Sequence, residues 1–295
     1  MKAKKHRNKT KSTILLVFVF MTGLGLLLYP SVSNYWNSLH QTEAIASYME
    51  SVSAVADEER DEMLLRAAEY NERLMTHAAG DGLDENQTAQ YLSLLDPQGN
   101  GMMGYLEIPS IDCLLPVYHG TSDAVLHSAV GHVEWSSLPV GGKGSHCVLS
   151  GHRGMPSAKL FSELDQLQPG DKFILTVLKQ TMTYVVDEIR VVEPQEVQSL
   201  QILPGEDLCT LVTCTPYGIN THRLLVQGHR TDNDPSHGRI HLVSEAIRIK
   251  KPIVAAVLFG LFVALLLLWL PIDALVHRIH TKRKQASEPS RPDSR

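Results

Sequence analysis

Residues 211–227 read Leu-Val-Thr-Cys-Thr-Pro-Tyr-Gly-Ile-Asn-Thr-His-Arg-Leu-Leu-Val-Gln and are the most informative segment of the chain. Both ends of the segment are apolar and β-prone, and its middle is rich in turn residues, so the pattern predicts two strands joined by a loop. Antiparallel pairing of these strands brings Cys214 and Arg223 to neighbouring strand ends. The segment therefore predicts a thiol nucleophile beside a fixed cation.

The sequence around this hairpin consists of short β-prone runs separated by turn residues. A brief helix is expected at Ala158–Leu164. This spacing predicts a mainly β fold, built as a closed antiparallel barrel. The expected strands are Tyr105–Ile108, Leu114–Val117, His146–Leu149, Lys172–Leu178, Met182–Val192, Leu208–Cys214 and Leu224–Gly228.

A thiol acts as a nucleophile only when a base or a nearby cation favours the thiolate, so Cys214 needs a partner. His152 is the first candidate because it follows an apolar strand at a Ser-Gly turn, where a side chain projects from a rigid scaffold. His222 is the rival, but adjacent strand residues face opposite sides, so His222 should point away if Arg223 points toward Cys214. Arg153 and the pair His229-Arg230 are expected to be solvated.

Three blocks carry a resemblance to the sortases, cysteine transpeptidases of Gram-positive cell surfaces. They are Thr210-Leu-Val-Thr-Cys214, the block around Gly151-His152-Arg153, and Gly104–Ile111. The resemblance implies an eight-stranded sortase-type β-barrel that needs no cofactor or metal. It also implies the roles: Cys214 as nucleophile, His152 as general acid and base, and Arg223 as the group that stabilises the oxyanion or the substrate.

The helical N-terminal part, a second apolar run and the string Thr213–Arg223 are similar to class C sortases. This resemblance implies cleavage of a Leu-Pro-x-Thr-Gly-like sorting signal between Thr and Gly, followed by transfer to a lysine amine of a pilin subunit. Two alternatives stay open. One is a sortase that anchors surface proteins to a cell-wall precursor, and the other is a non-catalytic, membrane-tethered assembly module.

Class C sortases commonly carry a lid in which Asp-Pro precedes an aromatic residue. In this chain the lid candidates are Asp96-Pro97, which is followed by Gln98, and Asp81 with Leu83. Both candidates lack the aromatic residue. The polar stretch 80–101 is expected to be an irregular loop that lies across the Cys214 cleft.

Two apolar runs, 13–29 and 252–270, are long enough to span a membrane. Basic residues flank their distal sides and predict a two-pass protein of the cell membrane, with both ends in the cytoplasm and the catalytic domain outside. Alternatively, the first run is a signal peptide cleaved near Ser31–Ser33. The expected organisation is a basic N-terminus 1–12, a span 13–29, a helical segment and lid-like loop 30–101, a barrel 102–232, a linker 233–251, a span 252–270 and a basic tail 271–295.

The net charge of −5 gives no reason to expect nucleic acid as a partner, since the basic clusters lie at the two ends. All four cysteines fall in the external domain, where disulfides are common. Four thiols are nevertheless preferred, because Cys209 and Cys214 are five residues apart on one strand and face opposite sides. A bridge between Cys113 and Cys147 is the minority alternative, and a zinc site from His146, Cys147 and His152 lacks the usual Cys-x-x-Cys spacing.

Overall fold

The computed structural model of the chain describes residues 3–75, 78–233 and 260, with side chains from Leu15 onward. The expected linker 233–251, second span 252–270 and basic tail 271–295 lie outside the described residues, apart from Asn233 and Gly260. The structural account therefore concerns the N-terminal helices and the barrel.

Eight strands form a closed barrel in the order β1-β2-β3-β4-β7-β8-β6-β5. They are β1 Met102–Ile108, β2 Cys113–His119, β3 Val130–His132, β4 Ser145–Ser150, β5 Lys172–Val177, β6 Gln180–Val192, β7 Asp207–Thr215 and β8 His222–Thr231. The predicted eight-stranded barrel is confirmed. The prediction of a purely antiparallel barrel is wrong, because β2 pairs with β3 and β4 pairs with β7 in parallel.

The strands that support the hairpin are buried on both faces. Leu149 and Leu211 belong to the core inside the barrel, while Val148 and Val212 belong to a second apolar cluster on the outside. A strand covered on both faces needs apolar residues at successive positions rather than at alternate ones. This explains the continuous apolar runs of β4 and β7.

Among residues 3–75 and 78–233, four α-helices accompany the barrel: α1 Ala3–Ala54, α2 Asp57–Leu74, α3 Glu85–Leu92 and α4 Asp123–Leu126. The expected irregular loop at 80–101 is therefore wrong in part, since α3 lies within it. Asp84 and Gln87 form a capping box at the start of α3, and Tyr91 anchors the helix with no exposed surface. The helix expected at Ala158–Leu164 is also wrong. That region consists of turns followed by a 3-10 helix at Leu164–Gln166.

The long helix α1 packs on the barrel through residues spaced three and four apart. Ile45, Tyr48 and Val52 are at most 1% exposed, and the Tyr48 hydroxyl donates to the Met103 carbonyl over 2.7 Å. Within the described residues one helix, Leu15–Ala54, is long and apolar enough to cross a membrane. This helix is consistent with the first of the two expected membrane spans or with a signal sequence.

The same helix contacts the loop that follows β4. The Asn37 amide donates to the Ser157 carbonyl over 2.7 Å, and the Lys159 N–H donates to the Asn34 side chain over 2.6 Å. Further along α1, the Gln41 amide donates to the Ser128 carbonyl over 2.7 Å. The loop after β4 is therefore held by the part of α1 that follows its apolar run.

Candidate active site

The hairpin of β7 and β8 places Cys214 directly opposite Arg223 in the antiparallel ladder. Val212 and Leu225, two residues away on each strand, belong to the outer apolar cluster. Because side chains alternate along a strand, Cys214 and Arg223 lie on that same outer face. The juxtaposition predicted from the sequence is therefore present.

His152 follows the end of β4, the parallel neighbour of β7. It is half-buried, as is Cys214. The residue before His152, Gly151, donates its N–H to the Val212 carbonyl over 3.0 Å, and its carbonyl accepts from the Thr213 hydroxyl over 2.7 Å. The chain that carries His152 is thus bonded to the strand that carries Cys214.

Arg153 adds a second connection, and the expectation that it is solvated is wrong. Its side chain is only 11% exposed and forms an ion pair with Asp165. Its Nη1 donates to the Thr215 hydroxyl over 3.3 Å. The Tyr217 ring, in the loop after β7, packs closely on Gly154, in the loop after β4. A Cβ at Gly154, where φ is +78°, would lie 2.7 Å from this ring. Glycine is required there on both counts.

Arg223 is held by the loop that precedes it. Its Nη1 donates to the carbonyls of Asn220 over 3.3 Å and of His222 over 3.1 Å. His222 itself is exposed, and its ring contacts the neighbouring Thr221 hydroxyl at 2.9 Å. His222 is the first residue of β8, so strand alternation directs its side chain away from that of Arg223. That His152 rather than His222 is the partner of Cys214 stays a prediction.

A groove of about 240 Å³ lies beside Arg223 on the outer face of β4, β7 and β8. Its floor is the outer apolar cluster and its rim is polar. No motif in the sequence predicts this groove; the signal that could have revealed it is the continuous apolar runs of β4 and β7, which are typical of strands covered on both faces. The groove lining includes Val148, Trp135, Leu200, Val212, Leu225 and Glu193.

All four cysteines are free thiols, as preferred from the sequence, so the alternative bridge between Cys113 and Cys147 is not formed. Three of them are buried. Burial raises the pKa of the Cys113 thiol to about 12 and that of the Cys209 thiol well above its ordinary value. At Cys113 the effect of burial exceeds that of the nearby Lys159 charge, which lowers the pKa. Burial disfavours a thiolate, so these two thiols are unsuited to attack on a substrate.

The zinc alternative finds no support. Both ring nitrogens of His146 are engaged, with the Gln201 carbonyl at 2.9 Å and the Thr210 hydroxyl at 2.7 Å. In the part of the chain that the structure describes, no group of three or more His, Cys, Asp or Glu side chains could hold a metal ion.

The lid candidates have defined contacts. The Asp96 carboxylate accepts the N–H groups of Asn100 over 3.1 Å and Gly101 over 3.0 Å, which closes the turn before β1. Pro97 is half-buried within that turn, Asp81 is exposed, and Leu83 packs against the main core. Near Asp81, a Cβ at Gly80 would lie 3.1 Å from Val197, which borders the groove. A lid function of these residues stays a prediction.

An eight-stranded barrel that presents a thiol, an imidazole and a guanidinium around one strand end has the groups required for acyl transfer through a cysteine. The fold and the site therefore define a cysteine transferase of the thioester-forming type. Comparison with known proteins gives the family.

The model of the family described as "Sortase domain" matches residues 106–231. Sortase C1 from Streptococcus agalactiae is 47% identical with a TM-score of 0.64, over 65% of this chain and 100% of that chain. Sortase C from Streptococcus pneumoniae is 43% identical with a TM-score of 0.59, over 65% and 97%. Clostridium perfringens sortase C, solved with the C-terminal cell wall sorting motif, is 42% identical with a TM-score of 0.57, over 65% and 99%. The chain belongs to the sortase family of cysteine transpeptidases, and these neighbours are of class C.

Proposed function

We propose that this sortase cleaves a Leu-Pro-x-Thr-Gly-like sorting signal between Thr and Gly and joins the new acyl end to a lysine amine of a pilin subunit. The observation that carries the proposal is the pairing of Cys214 with Arg223, with His152 on the neighbouring chain segment. A nucleophile, a fixed cation and a proton-transfer group are the minimum set for exchanging one amide for another.

In the first step, the Cys214 thiol gives its proton to His152, and the sulfur attacks the carbonyl carbon of the threonine residue in the signal. The carbon–sulfur bond forms while negative charge develops on the carbonyl oxygen, which Arg223 stabilises. The bond to the glycine nitrogen then breaks, and His152 gives that nitrogen a proton. The products are a thioester on Cys214 and a peptide that begins with glycine.

In the second step, the lysine amine attacks the thioester carbon. His152, now neutral, takes a proton from the incoming amine, and the carbon–sulfur bond breaks to return the Cys214 thiolate. One amide bond is exchanged for another, so the reaction needs no external source of energy or electrons.

The groove next to Arg223 supports an apolar entrance for the signal. Its floor of Val148, Val212 and Leu225 suits the Leu-Pro part, and Trp135 offers a wide apolar surface. The rim ends at Arg223, which lies opposite Cys214. A peptide in this groove with its apolar end on the floor would extend its threonine toward the thiol.

Two relatives support the substrate class. The Streptococcus pneumoniae structure is described in terms of pilin substrate specificity, and the Clostridium perfringens structure contains a cell wall sorting motif. The likeness to the Clostridium perfringens protein supports a sorting signal as the donor, and the likeness to the Streptococcus pneumoniae protein supports a pilin as the substrate.

We also propose a two-pass topology, with residues 31–250 outside the cell and both tails in the cytoplasm. The helix Leu15–Ala54 supports the first span. External protease on intact protoplasts should remove the barrel and spare tags at both ends. Loss of an N-terminal tag from the mature membrane protein would show instead that the first run is a cleaved signal peptide.

The enzymatic proposal is tested with full-length protein in detergent micelles and a peptide that contains the signal. Intact mass should show the acyl adduct on the wild-type protein and not on Cys214→Ala. Addition of a pilin subunit should then give a product with a new amide at one lysine. Transfer only to an amine that mimics a cell-wall precursor would contradict the pilin part, and the absence of any adduct would contradict catalysis.

A further inference from the structure

We propose that Arg153 is a positioning residue that fixes the Cys214 strand end relative to the loop of His152, acting through Thr215. The inference deepens the proposed function and rests on the roles of Cys214 and His152 in it. Arg153 touches neither the substrate nor the reacting atoms in this scheme. Its effect is on the distance and orientation of the two reacting side chains.

The first observation is the burial of a permanently charged side chain. Arg153 is 11% exposed, and its Nε is buried without a hydrogen-bond partner within the described residues. A buried charge is costly unless it is paired and bonded. By contrast, Arg190 on β6 is 49% exposed and pairs with Glu188, two residues away on its own strand. The Arg190 pair is therefore local and solvated, whereas Arg153 pairs with Asp165, 12 residues along the chain, and also bonds Thr215, 62 residues along it.

The second observation is where the guanidinium reaches. Nη1 donates to the hydroxyl of Thr215, which directly follows Cys214, and Nη2 meets the carboxylate of Asp165. The carboxylate balances the charge and limits rotation of the guanidinium. Thr215 is thus bonded to a guanidinium whose position is also restrained by Asp165.

The third observation is a matching bond on the other side of both reacting residues. The Thr213 hydroxyl donates to the Gly151 carbonyl over 2.7 Å. Thr213 and Thr215 flank Cys214 in the chain. Their bonding partners, Gly151 and Arg153, flank His152 in the same way. Two bonds to Gly151, from the Thr213 hydroxyl and to the Val212 carbonyl, hold the segment before His152. The Arg153 bond to Thr215 holds the segment after His152, so the two strand ends are fixed on both sides of the reacting residues.

The threonines that hold the end of β7 and the reacting Cys214 lie on opposite faces of the strand. Thr213 and Thr215 face the side opposite to Cys214, because successive strand residues alternate. The two bonds can therefore hold the strand end without occupying the space that a substrate needs. Proton transfer requires heavy atoms about 2.6–3.2 Å apart, and a misplacement of about 1 Å can cost about 100-fold in rate.

The test uses the full-length protein and five variants, the fifth being Thr215→Ser, which keeps the hydroxyl. Thr215→Val removes the acceptor hydroxyl and keeps the shape, Arg153→Gln removes the cation, and a third protein combines both. Arg190→Gln is the matched control, since it breaks an arginine–carboxylate pair elsewhere in the barrel. Initial rates of thioester formation with the signal peptide give kcat and KM, and iodoacetamide gives the alkylation rate of the Cys214 thiol against pH.

We expect Thr215→Val to lower kcat about 10-fold or more with KM within about 2-fold, because positioning rather than binding is lost. The combined variant should be no slower than Arg153→Gln alone, since both changes break one connection. The alkylation profile should shift in Thr215→Val and in Arg153→Gln but not in Arg190→Gln. Thr215→Ser, which keeps the hydroxyl, should restore most of the rate that Thr215→Val loses.

Equal kcat for Thr215→Val and the wild type would overturn the inference, as would losses that multiply independently in the combined variant. Thr215→Val carries the test even if Arg153→Gln does not fold. Failure of the proposed function would look different, because the wild-type protein and Arg190→Gln would then form no acyl adduct with the signal peptide either.

Discussion

The substitution Arg223→Lys tests whether the guanidinium itself is needed, since it keeps the positive charge. In the structure, both bonds of Arg223 to carbonyls leave from Nη1. Among the described contacts, Nε and Nη2 are therefore available to a substrate while Nη1 keeps the side chain in place. A lysine ammonium is a single centre without a planar fork, so it cannot anchor itself to those carbonyls and face the substrate in the same geometry.

The expected size follows from the loss of one preorganised donor to an oxyanion. Such a loss costs about 2.7–4 kcal/mol, which corresponds to about 100- to 1000-fold in kcat. The assay is the initial rate of thioester formation with a signal peptide at saturating concentration. Thermal unfolding of both proteins checks that the barrel is unchanged.

The matched control is His222→Ala, one residue away on the same strand. Its ring is exposed and faces away from Cys214, so its rate should stay within about 3-fold of the wild type. A loss below about 5-fold for Arg223→Lys, in a protein with an unchanged unfolding midpoint, would refute the reasoning. Comparable losses in Arg223→Lys and His222→Ala would refute it equally.

Three further predictions follow from the described contacts. Cys214→Ala should abolish thioester formation, while alanine at any of the three buried cysteines should lower stability and leave an active enzyme, as intact mass and thermal unfolding would show. Burial lowers the pKa of His119 and His146 below the ordinary value of 6.5, so below that pH the unfolded chain binds protons that the folded chain does not. Stability should therefore fall as pH decreases from 6.5 toward the lowered values, and a urea midpoint equal at pH 7.5 and 5.5 would contradict this. Asn37→Ala should lower kcat by loosening the loop of His152, whereas Gln41→Ala, which removes a similar bond from the same helix, should leave kcat unchanged.

The hairpin around Cys214 could be predicted because its determinants are local. Apolar strand ends, a turn-rich middle and strand alternation fix which residues are opposite, and the ladder agrees with that reading. The start of the short helix α3 could also have been predicted, since Asp84 and Gln87 are three residues apart, as a capping box requires. The stretch 80–101 is polar and rich in turn residues, and for that reason it was interpreted as a loop.

Other features depend on contacts between distant residues. β3 contains only three residues, Val130–His132, and its strand character comes from its neighbours rather than from its own pattern. The parallel pairs arise from connections that a period of two cannot reveal. Arg153 was expected in solvent because nothing in the sequence places Asp165 and Thr215 beside it.

The course of α1 has a consequence for how the enzyme is oriented. Starting from the apolar run, the helix first meets the loop of His152 through Asn34 and Asn37. Only later, at Ser47 and Ser51, does it meet Gln98, next to the start of β1. The helical rise of 1.5 Å per residue separates Asn34 from Ser51 by about 26 Å. For an α1 that crosses the membrane as proposed, the end of the barrel that carries the loop of His152 is the end nearer the lipid surface, so a substrate still held in the bilayer would approach the barrel from its catalytic end.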